Sequence, residues 1–113
     1  MSENCLFCKI VRGEIPSNKV AESEVAIAFR DVNPQAPTHV LVVPRTHVAS
    51  LAAAEDAALL GGLMTMAASV ARSEGIESSG YRVVANTGGD GGQTVDHLHL
   101  HVLGGRRLTW PPG

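Results

Sequence analysis

The stretch that decides the fold is residues 94–103, TVDHLHLHVL, in which histidine alternates with leucine. Because successive residues of a strand point to opposite faces of a sheet, His97, His99 and His101 are predicted to share one face, about 6–7 Å apart. Leu98 and Leu100 are predicted to anchor the other face in the core. Three of the five histidines thus form one row, which points to phosphate chemistry or to a metal site.

A glycine-rich loop lies directly before this strand, with four glycines in the five residues 88–92. Glycine permits the tight turns with which a backbone presents N–H groups to an anion, so the loop favours a phosphate site. Gln93 and Thr94 follow it with side-chain donors. Since imidazole is both a nucleophile and a proton carrier near neutral pH, the predicted chemistry takes place at phosphorus.

The remaining elements predict an α+β fold with an antiparallel sheet of about five strands, one long helix and a short N-terminal helix. Alternation of Val25, Ile27 and Phe29 is typical of a half-buried strand, whereas residues 39–44 are apolar enough for a central one. The predicted helices span 5–13 and 55–75, a helical turn is expected within 47–51, and the predicted strands span 19–22, 25–30, 39–44, 81–87 and 94–103.

The predicted long helix has an apolar face and a glycine stop at Gly75, both of which are typical of a helix that packs on a sheet. Gly61-Gly62 interrupts it, and glycine inside a helix lowers its stability. Two interpretations remain open for this pair. One is close approach of a partner helix across a dimer interface, and the other is tolerated flexibility.

Length and composition bound the function classes. The 113 residues suit one domain over 1–113, with a core at about 5–105 and a C-terminal tail at 106–113. The net charge is −2 without a basic block, so neither nucleic acid nor an anionic membrane is an expected partner. No apolar run approaches the ~20 residues of a membrane span, and residues 1–4 lack a secretory pattern, so a cytoplasmic protein is expected.

These motifs resemble the histidine triad (HIT) family. Asn86, Gly91, Gln93 and Val95 precede the triad at the spacing of the family signature. The segment PQAPTH at 34–39, GGRR at 104–107 and WPPG at 110–113 are similar to the Hint branch, the nucleoside phosphoramidases. The resemblance covers essentially the whole chain.

The resemblance implies an HIT-like fold in a homodimer whose two sheets join into one, with the Trp110 tail near the partner. It implies hydrolysis of the P–N bond of purine nucleoside 5′-phosphoramidates, which releases a nucleoside monophosphate of the AMP type and an amine. The middle histidine, His99, would attack phosphorus and form a nucleotidyl-histidine intermediate that water then cleaves.

The resemblance also implies roles for individual side chains. His101 would contact the phosphate and carry a proton, His39 would be the fourth histidine of the pocket, and Thr94 would stabilise charge on the phosphoryl oxygens. Phe7 is a further candidate for the wall around the base. A purely structural role stays open for Phe29, Leu41, Asp31 and His39. The implied nucleotide-binding residues are Phe29, Asp31, Val32, Leu41, Asn86, Gly92, Gln93, Thr94, Val95, His99 and His101.

Cys5 and Cys8 form a C-x-x-C pair, which in a reducing compartment indicates metal binding or redox chemistry. Many Hint members lack it. Bacterial HIT proteins that carry it join it to a histidine after a Pro-x-x-His segment, here His47, and to the first triad histidine, here His97. The resemblance therefore implies a structural Zn²⁺ on these four residues, because two thiolates and two imidazoles form a closed tetrahedral set. No metal is required for the implied catalysis.

Three other functions remain as alternatives. A dinucleoside polyphosphate hydrolase of the Fhit branch is disfavoured by the short chain, the WPPG tail and Gly104. A nucleotidyl transferase of the galactose-1-phosphate uridylyltransferase type is disfavoured because His101 stands where that branch has glutamine. The last alternative is a nucleotide-binding or partner-binding protein with little catalysis.

Overall fold

The structure is a computed structural model that describes residues 4–113. In chain order its elements are α1 (Leu6–Val11), β1 (Lys19–Glu22), β2 (Ala26–Arg30), β3 (Thr38–Pro44), a 3₁₀ turn (Leu51–Ala53), α2 (Ala57–Ser73), β4 (Tyr81–Val84) and β5 (Leu100–Gly104). All strand pairs are antiparallel in the order β1-β2-β3-β5-β4. The predicted α+β fold is thereby confirmed.

The sheet separates two apolar layers, and every residue of the central strand β3 is buried. On one face α2 packs through side chains such as Leu63 and Val70 against Val40 and Val42. On the other face α1 packs through Phe7, in a cluster completed by Ile27, Phe29, Leu41 and Val43. The predicted central strand is correct, and α1 lies on the face that carries the candidate site.

Strand β2 is buried on both faces, so the predicted half-buried strand is wrong. Ala26 and Ala28, the small residues that alternate with Ile27 and Phe29, are fully buried in the layer under α2. Small side chains at these positions leave room for the helix to approach the sheet. Val25, predicted as the first inward residue, lies before the strand and is 44% exposed.

Helix α2 begins after Asp56, whose Oδ1 accepts the Leu59 N–H at 3.1 Å, and Gly75 follows its end at φ +76°. A Cβ at Gly62 would lie 3.2 Å from Val25 Cγ2 of the same chain, whereas one at Gly61 would meet nothing within 4 Å. Close packing at Gly62 is therefore explained within the subunit. Within residues 4–113, no helix combines the length and apolarity needed to cross a membrane.

Strand β5 begins at Leu100, six residues later than predicted. Its pairing with β3 runs from Gly104 opposite Thr38 to Leu100 opposite Val42. Continued in the same register, His99 would pair with Val43 and then Leu98 with Pro44, which has no N–H to donate. The Leu98 N–H instead donates to the Val48 carbonyl at 2.7 Å, so the ladder does not extend to that pair. Residues 94–99 are consequently irregular. Two other predicted bounds also differ: β4 ends at Val84 rather than at residue 87, and the helical turn expected at 47–51 forms at Leu51–Ala53.

Candidate active site and metal centre

A cavity of about 600 Å³ opens on the α1 side of the sheet. Its walls are mainly apolar, and the two later triad histidines lie among the residues that line it. The cavity brings together nine predicted residues: Phe7, Phe29, Asp31, Val32, Leu41, Thr94, Val95, His99 and His101. An apolar pocket with a few convergent polar groups is the usual form of a small-molecule site.

Four other predicted residues lie outside the cavity lining, which contains neither Asn86 nor Gly92, Gln93 or His39. Gln93 fastens the glycine loop, because its Oε1 accepts the Gly88 N–H at 3.1 Å. Its Nε2 donates to the carbonyls of Ala49 and Val95 at 2.7 and 3.1 Å. The loop thus folds on itself, and Thr94 and Val95 are the residues from this segment that reach the cavity.

Apart from Phe7, sequence reasoning missed the contribution of α1 and the following loop to the cavity. Leu6 and Ile10 line it from α1, and Ile15, Pro16, Ser17 and Asn18 line it from the loop. A signal was present, since Leu6 and Ile10 are four residues apart and share one face of the helix with Phe7.

A hydrogen bond fixes the His99 ring and leaves its Nε2 without a proton. Its Nδ1 lies 2.7 Å from the His97 carbonyl oxygen, which accepts only, so Nδ1 carries the proton and Nε2 keeps its lone pair. The ring is 5% exposed and packs edge-on against Phe7, with centroids 5.1 Å apart. A neutral imidazole with a fixed free nitrogen can act as a nucleophile.

His39 and His101 form a directed chain of hydrogen bonds. The Gln35 N–H donates to His39 Nδ1 at 3.0 Å, so neutral His39 carries its proton on Nε2. That nitrogen lies 2.9 Å from His101 Nδ1, which therefore accepts, and the His101 proton resides on Nε2. Burial, together with the neighbouring His99 and His39, lowers the pKa of His101 to about 4, so this ring is neutral at pH 7.

Asp31, His39 and His101 bring three ligand-type atoms within 4.8 Å of one another. A metal would require a lone pair on His39 Nε2, but that atom carries a proton because the Gln35 N–H occupies Nδ1. The Asp31 carboxylate, 3.4 Å from the same Nε2, accepts rather than donates. This group is suited to moving or orienting a proton, and it is a poor metal set.

A second cluster brings together the four predicted metal ligands. Cys5, Cys8, His47 and His97 place their ligand atoms within 4.8 Å of one another. Cys5 Sγ lies 3.3 Å from His97 Nδ1, and Cys8 Sγ lies 3.3 Å from His47 Nδ1 and 3.4 Å from His97 Nδ1. Zinc bond lengths in a tetrahedron separate sulfur and nitrogen by about 3.5 Å. The donor set fits Zn²⁺.

The outer contacts of this cluster also suit a metal. His97, which is fully buried, points Nε2 at the Pro44 carbonyl oxygen at 2.9 Å, so Nε2 carries the proton and Nδ1 presents its lone pair to the thiols. Burial, and then the adjacent Cys5, raises the pKa of the Cys8 thiol. A cation at this point would favour the thiolate instead.

The N-terminal segment joins the two sites through Phe7, which lies between the two cysteines in the sequence. Its ring packs edge-on against His97 and His99, with centroid distances of 5.9 and 5.1 Å. The His97 carbonyl, in turn, fixes the His99 ring. The candidate metal cluster of Cys5, Cys8, His47 and His97 and the candidate nucleophile therefore share both a side chain and a backbone contact.

Comparison with known proteins identifies the family of the chain. The family profile described as HIT domain matches residues 12–108. Purine nucleoside phosphoramidase of Escherichia coli (strain K12) is 46% identical, over 96% of this chain and 92% of the relative. A 14 kDa zinc-binding protein of Zea mays is 51% identical, over 96% of this chain and 87% of the relative.

Solved structures give the same result. The crystal structure of an HIT family hydrolase from Legionella pneumophila Philadelphia 1 superposes with a TM-score of 0.95 at 50% identity. The match covers 97% of this chain and 100% of that chain. The pattern of the histidines, the fold and these relatives lead to one conclusion: the chain belongs to the HIT domain family, and its homologues include HIT hydrolases.

Proposed function

We propose that this protein is a nucleotide-binding hydrolase that cleaves the P–N bond of purine nucleoside 5′-phosphoramidates. The observation that carries the proposal is the His99 ring, whose Nδ1 is held by the His97 carbonyl while its free Nε2 belongs to a cavity-lining side chain. The phosphoramidase name of the Escherichia coli relative supports the choice of bond.

The first step forms a nucleotidyl-histidine. His99 Nε2 gives its lone pair to phosphorus, the P–N bond breaks, and its electron pair goes to the amine nitrogen. The departing amine takes the Nε2 proton of His101, which leaves that ring as an imidazolate. Nucleotidylated His99 keeps its Nδ1 proton and so becomes a cation, which balances the charge on His101. The hydrogen bond from His39 Nε2 to His101 Nδ1 stabilises the ring as it loses that proton.

The second step restores the enzyme. Water attacks phosphorus, the bond from phosphorus to His99 Nε2 breaks, and its electron pair returns to the ring. The proton lost by water returns to His101 Nε2, so the proton given to the amine is recovered over one cycle. Thr94 supplies its hydroxyl, and the 94–95 segment its main-chain N–H groups, to the phosphoryl oxygens.

The nucleoside occupies the apolar part of the cavity. Phe29 and Leu41 contact the base, while Asp31, half-buried in the lining, accepts from the ribose hydroxyls. Asp31 Oδ1 already accepts the Asn33 N–H at 2.8 Å, which orients the carboxylate. Val32 is fully exposed in the free protein and closes over the nucleoside.

The Cys5, Cys8, His47 and His97 cluster is proposed to hold a structural Zn²⁺. When bound, the ion would tie α1 to the segments that carry His47 and His97, and it would supply no chemistry to the substrate. The zinc-binding name of the Zea mays relative supports this assignment. Thiolate ligands require reduced cysteines, which is consistent with a cytoplasmic protein.

A homodimer is proposed to form at the free edge of β4, which ends the sheet. Met64 and Tyr81 are 53% and 38% exposed, and Trp110 is 80% exposed within its own subunit. Arg82 Nη2 donates to the Thr109 carbonyl at 2.8 Å, which keeps the tail near this edge. Sedimentation at micromolar concentration should give twice the chain mass, and a monomer would refute the dimer.

The deciding experiment supplies adenosine 5′-phosphoramidate to the wild type and to His99→Asn, with and without a chelator in the assay. We expect release of AMP and ammonia by the wild type in both conditions. Loss of the nucleophile should reduce kcat by at least about a thousandfold, while nucleotide titration shows that the variant still binds.

Parallel assays separate the alternatives. Turnover of a dinucleoside tri- or tetraphosphate without turnover of the phosphoramidate would indicate a dinucleoside polyphosphate hydrolase. Nucleotide binding without turnover of either substrate would indicate a binding protein. Either result overturns the proposed reaction.

A further inference from the structure

We propose that Arg106 is a positioning residue that sets the direction of the His39–His101 proton relay, a role that rests on the proposed function. Its guanidinium donates twice to the Gln35 carbonyl oxygen, from Nε at 3.1 Å and from Nη2 at 2.9 Å. The same group donates from Nη1 to the Arg107 carbonyl at 3.2 Å, which fixes the side chain to the backbone of the next residue.

Gln35 connects Arg106 to the histidines. Its carbonyl receives the two bonds from Arg106, and its N–H donates to His39 Nδ1 at 3.0 Å. Its side chain also turns back, with Nε2 donating to the Asn33 carbonyl at 3.0 Å. The Gln35 backbone is therefore held on both sides, and Arg106 supplies the one cationic, two-pronged contact.

The end of β5 is shaped to deliver Arg106 to this loop. Gly105 has φ +91°, a conformation that residues with side chains rarely adopt, and a Cβ there would lie 2.9 Å from Pro37 Cβ. The absent side chain lets the two segments touch. Arg106 then follows at a position from which it reaches Gln35.

The hydrogen-bond directions give Arg106 its effect on chemistry. While the Gln35 N–H occupies His39 Nδ1, the His39 proton points at His101, and the His101 proton on Nε2 is free for the departing amine. If the Gln35 loop relaxes, His39 can carry its proton on Nδ1 instead. Its Nε2 then becomes an acceptor, the His101 proton moves to Nδ1, and Nε2 loses the proton that the amine needs.

The kinetic test compares Arg106→Ala with Arg107→Ala, a matched neighbour whose side chain makes no hydrogen bond or ion pair among residues 4–113. We expect Arg106→Ala to lower kcat by about three- to tenfold with KM changed less than about twofold, because its hydrogen-bond partners, Gln35 and Arg107, do not line the cavity. Arg106→Lys, which retains the charge but only one donor nitrogen, should fall between, and Arg107→Ala should match the wild type.

The leaving group provides a readout that a merely structural role would not move. Proton donation matters most for an alkylamine, which cannot depart as an anion, and least for a weakly basic arylamine. The kcat loss in Arg106→Ala should therefore be several-fold larger for the alkylamine phosphoramidate. Equal losses for the two substrates would overturn the positioning role.

Nitrogen-15 NMR of the histidine rings tests the proposal without turnover. In the wild type, His39 should show an unprotonated Nδ1 and a protonated Nε2, and Arg106→Ala should show a mixture of both forms. Unchanged His39 shifts in that variant would overturn the proposal. If the wild type instead fails to hydrolyse phosphoramidates, the proposed function falls while these spectra still decide the role of Arg106.

Discussion

Two clusters of the molecule look alike in composition but differ in chemistry. The metal cluster of Cys5, Cys8, His47 and His97 and the relay group of Asp31, His39 and His101 each place ligand-type atoms within 4.8 Å. They differ in what binds the outer nitrogen of one histidine. A carbonyl holds His97 Nε2, and a backbone N–H holds His39 Nδ1.

The contrast teaches that the hydrogen-bond partner of one imidazole nitrogen decides whether the other nitrogen carries a proton or a free lone pair. A carbonyl behind His97 forces a proton onto Nε2 and frees a lone pair for a cation. An N–H behind His39 forces the proton to the inner face, where it repels a cation and serves a proton relay. Proximity of ligand atoms alone would count both clusters as metal sites.

The largest expected effect comes from removing a thiol. Cys8→Ser should lower zinc affinity by about a thousandfold or more and lower the melting temperature, because a structural zinc contributes folding energy directly. The purified wild type should contain about one equivalent of zinc by metal analysis. His39→Asn, the matched change in the relay group, should leave that equivalent in place.

Two results would break the contrast between the clusters. Wild-type protein with less than about a tenth of an equivalent, prepared without chelator, would remove the metal site. A loss of zinc in His39→Asn but not in Cys8→Ser would reverse the assignments of the two clusters.

The next effect is on catalysis. His101→Asn should lower kcat by about a hundredfold or more for an alkylamine phosphoramidate, because proton transfer to the leaving group typically contributes that much. Zinc content and nucleotide affinity should stay close to wild type. A variant that lost its zinc instead would show that the relay and the metal cluster are not separate.

The smallest expected effect is on the pH dependence of folding stability. The pKa of His101 is lowered to about 4 from its ordinary 6.5, so between these values the unfolded chain binds a proton that the folded chain does not. Burial likewise lowers the pKa of His39. Acidification from pH 7 to pH 5 should therefore destabilise the fold, and the relay group contributes to the slope.

Thermal unfolding at both pH values measures this contribution. Metal loss on acidification acts in the same direction, so the comparison is between the wild type and His101→Asn at equal zinc content. The variant should lose about 2–5 °C less in Tm over this range. An equal or steeper loss in the variant would show that His101 is not held neutral by its surroundings.

Sequence patterns predicted most of the architecture. The central strand, the long helix and the antiparallel sheet follow from hydrophobic periodicity, and the resemblance named the residues of both clusters. The boundary of β5 was predicted incorrectly because the alternation of histidine and leucine extends to residues before Leu100, where the pairing with β3 ends. Hydrophobic periodicity predicts which way side chains face, but it does not predict where the hydrogen bonds to the partner strand end.

The supporting contacts of the site were harder to predict. Gln35 acts through its backbone N–H and carbonyl, which every residue except proline possesses, so its side chain carries no signal. Arg106 lies 71 positions away from it, and their contact depends on the turn at Gly105. The glycine loop lies outside the cavity lining, where Gln93 bonds Gly88, and its composition alone could not predict that contact.

The alternation in residues 97–102 limits how this part of the chain can change in length. Leu98, Leu100 and Val102 are buried under α2, while the histidines between them serve the metal cluster and the cavity. Insertion or deletion of one residue would exchange the two sets, placing leucine in the cavity and imidazole in the core. Single-residue length changes here should therefore be eliminated during divergence even where point substitutions survive.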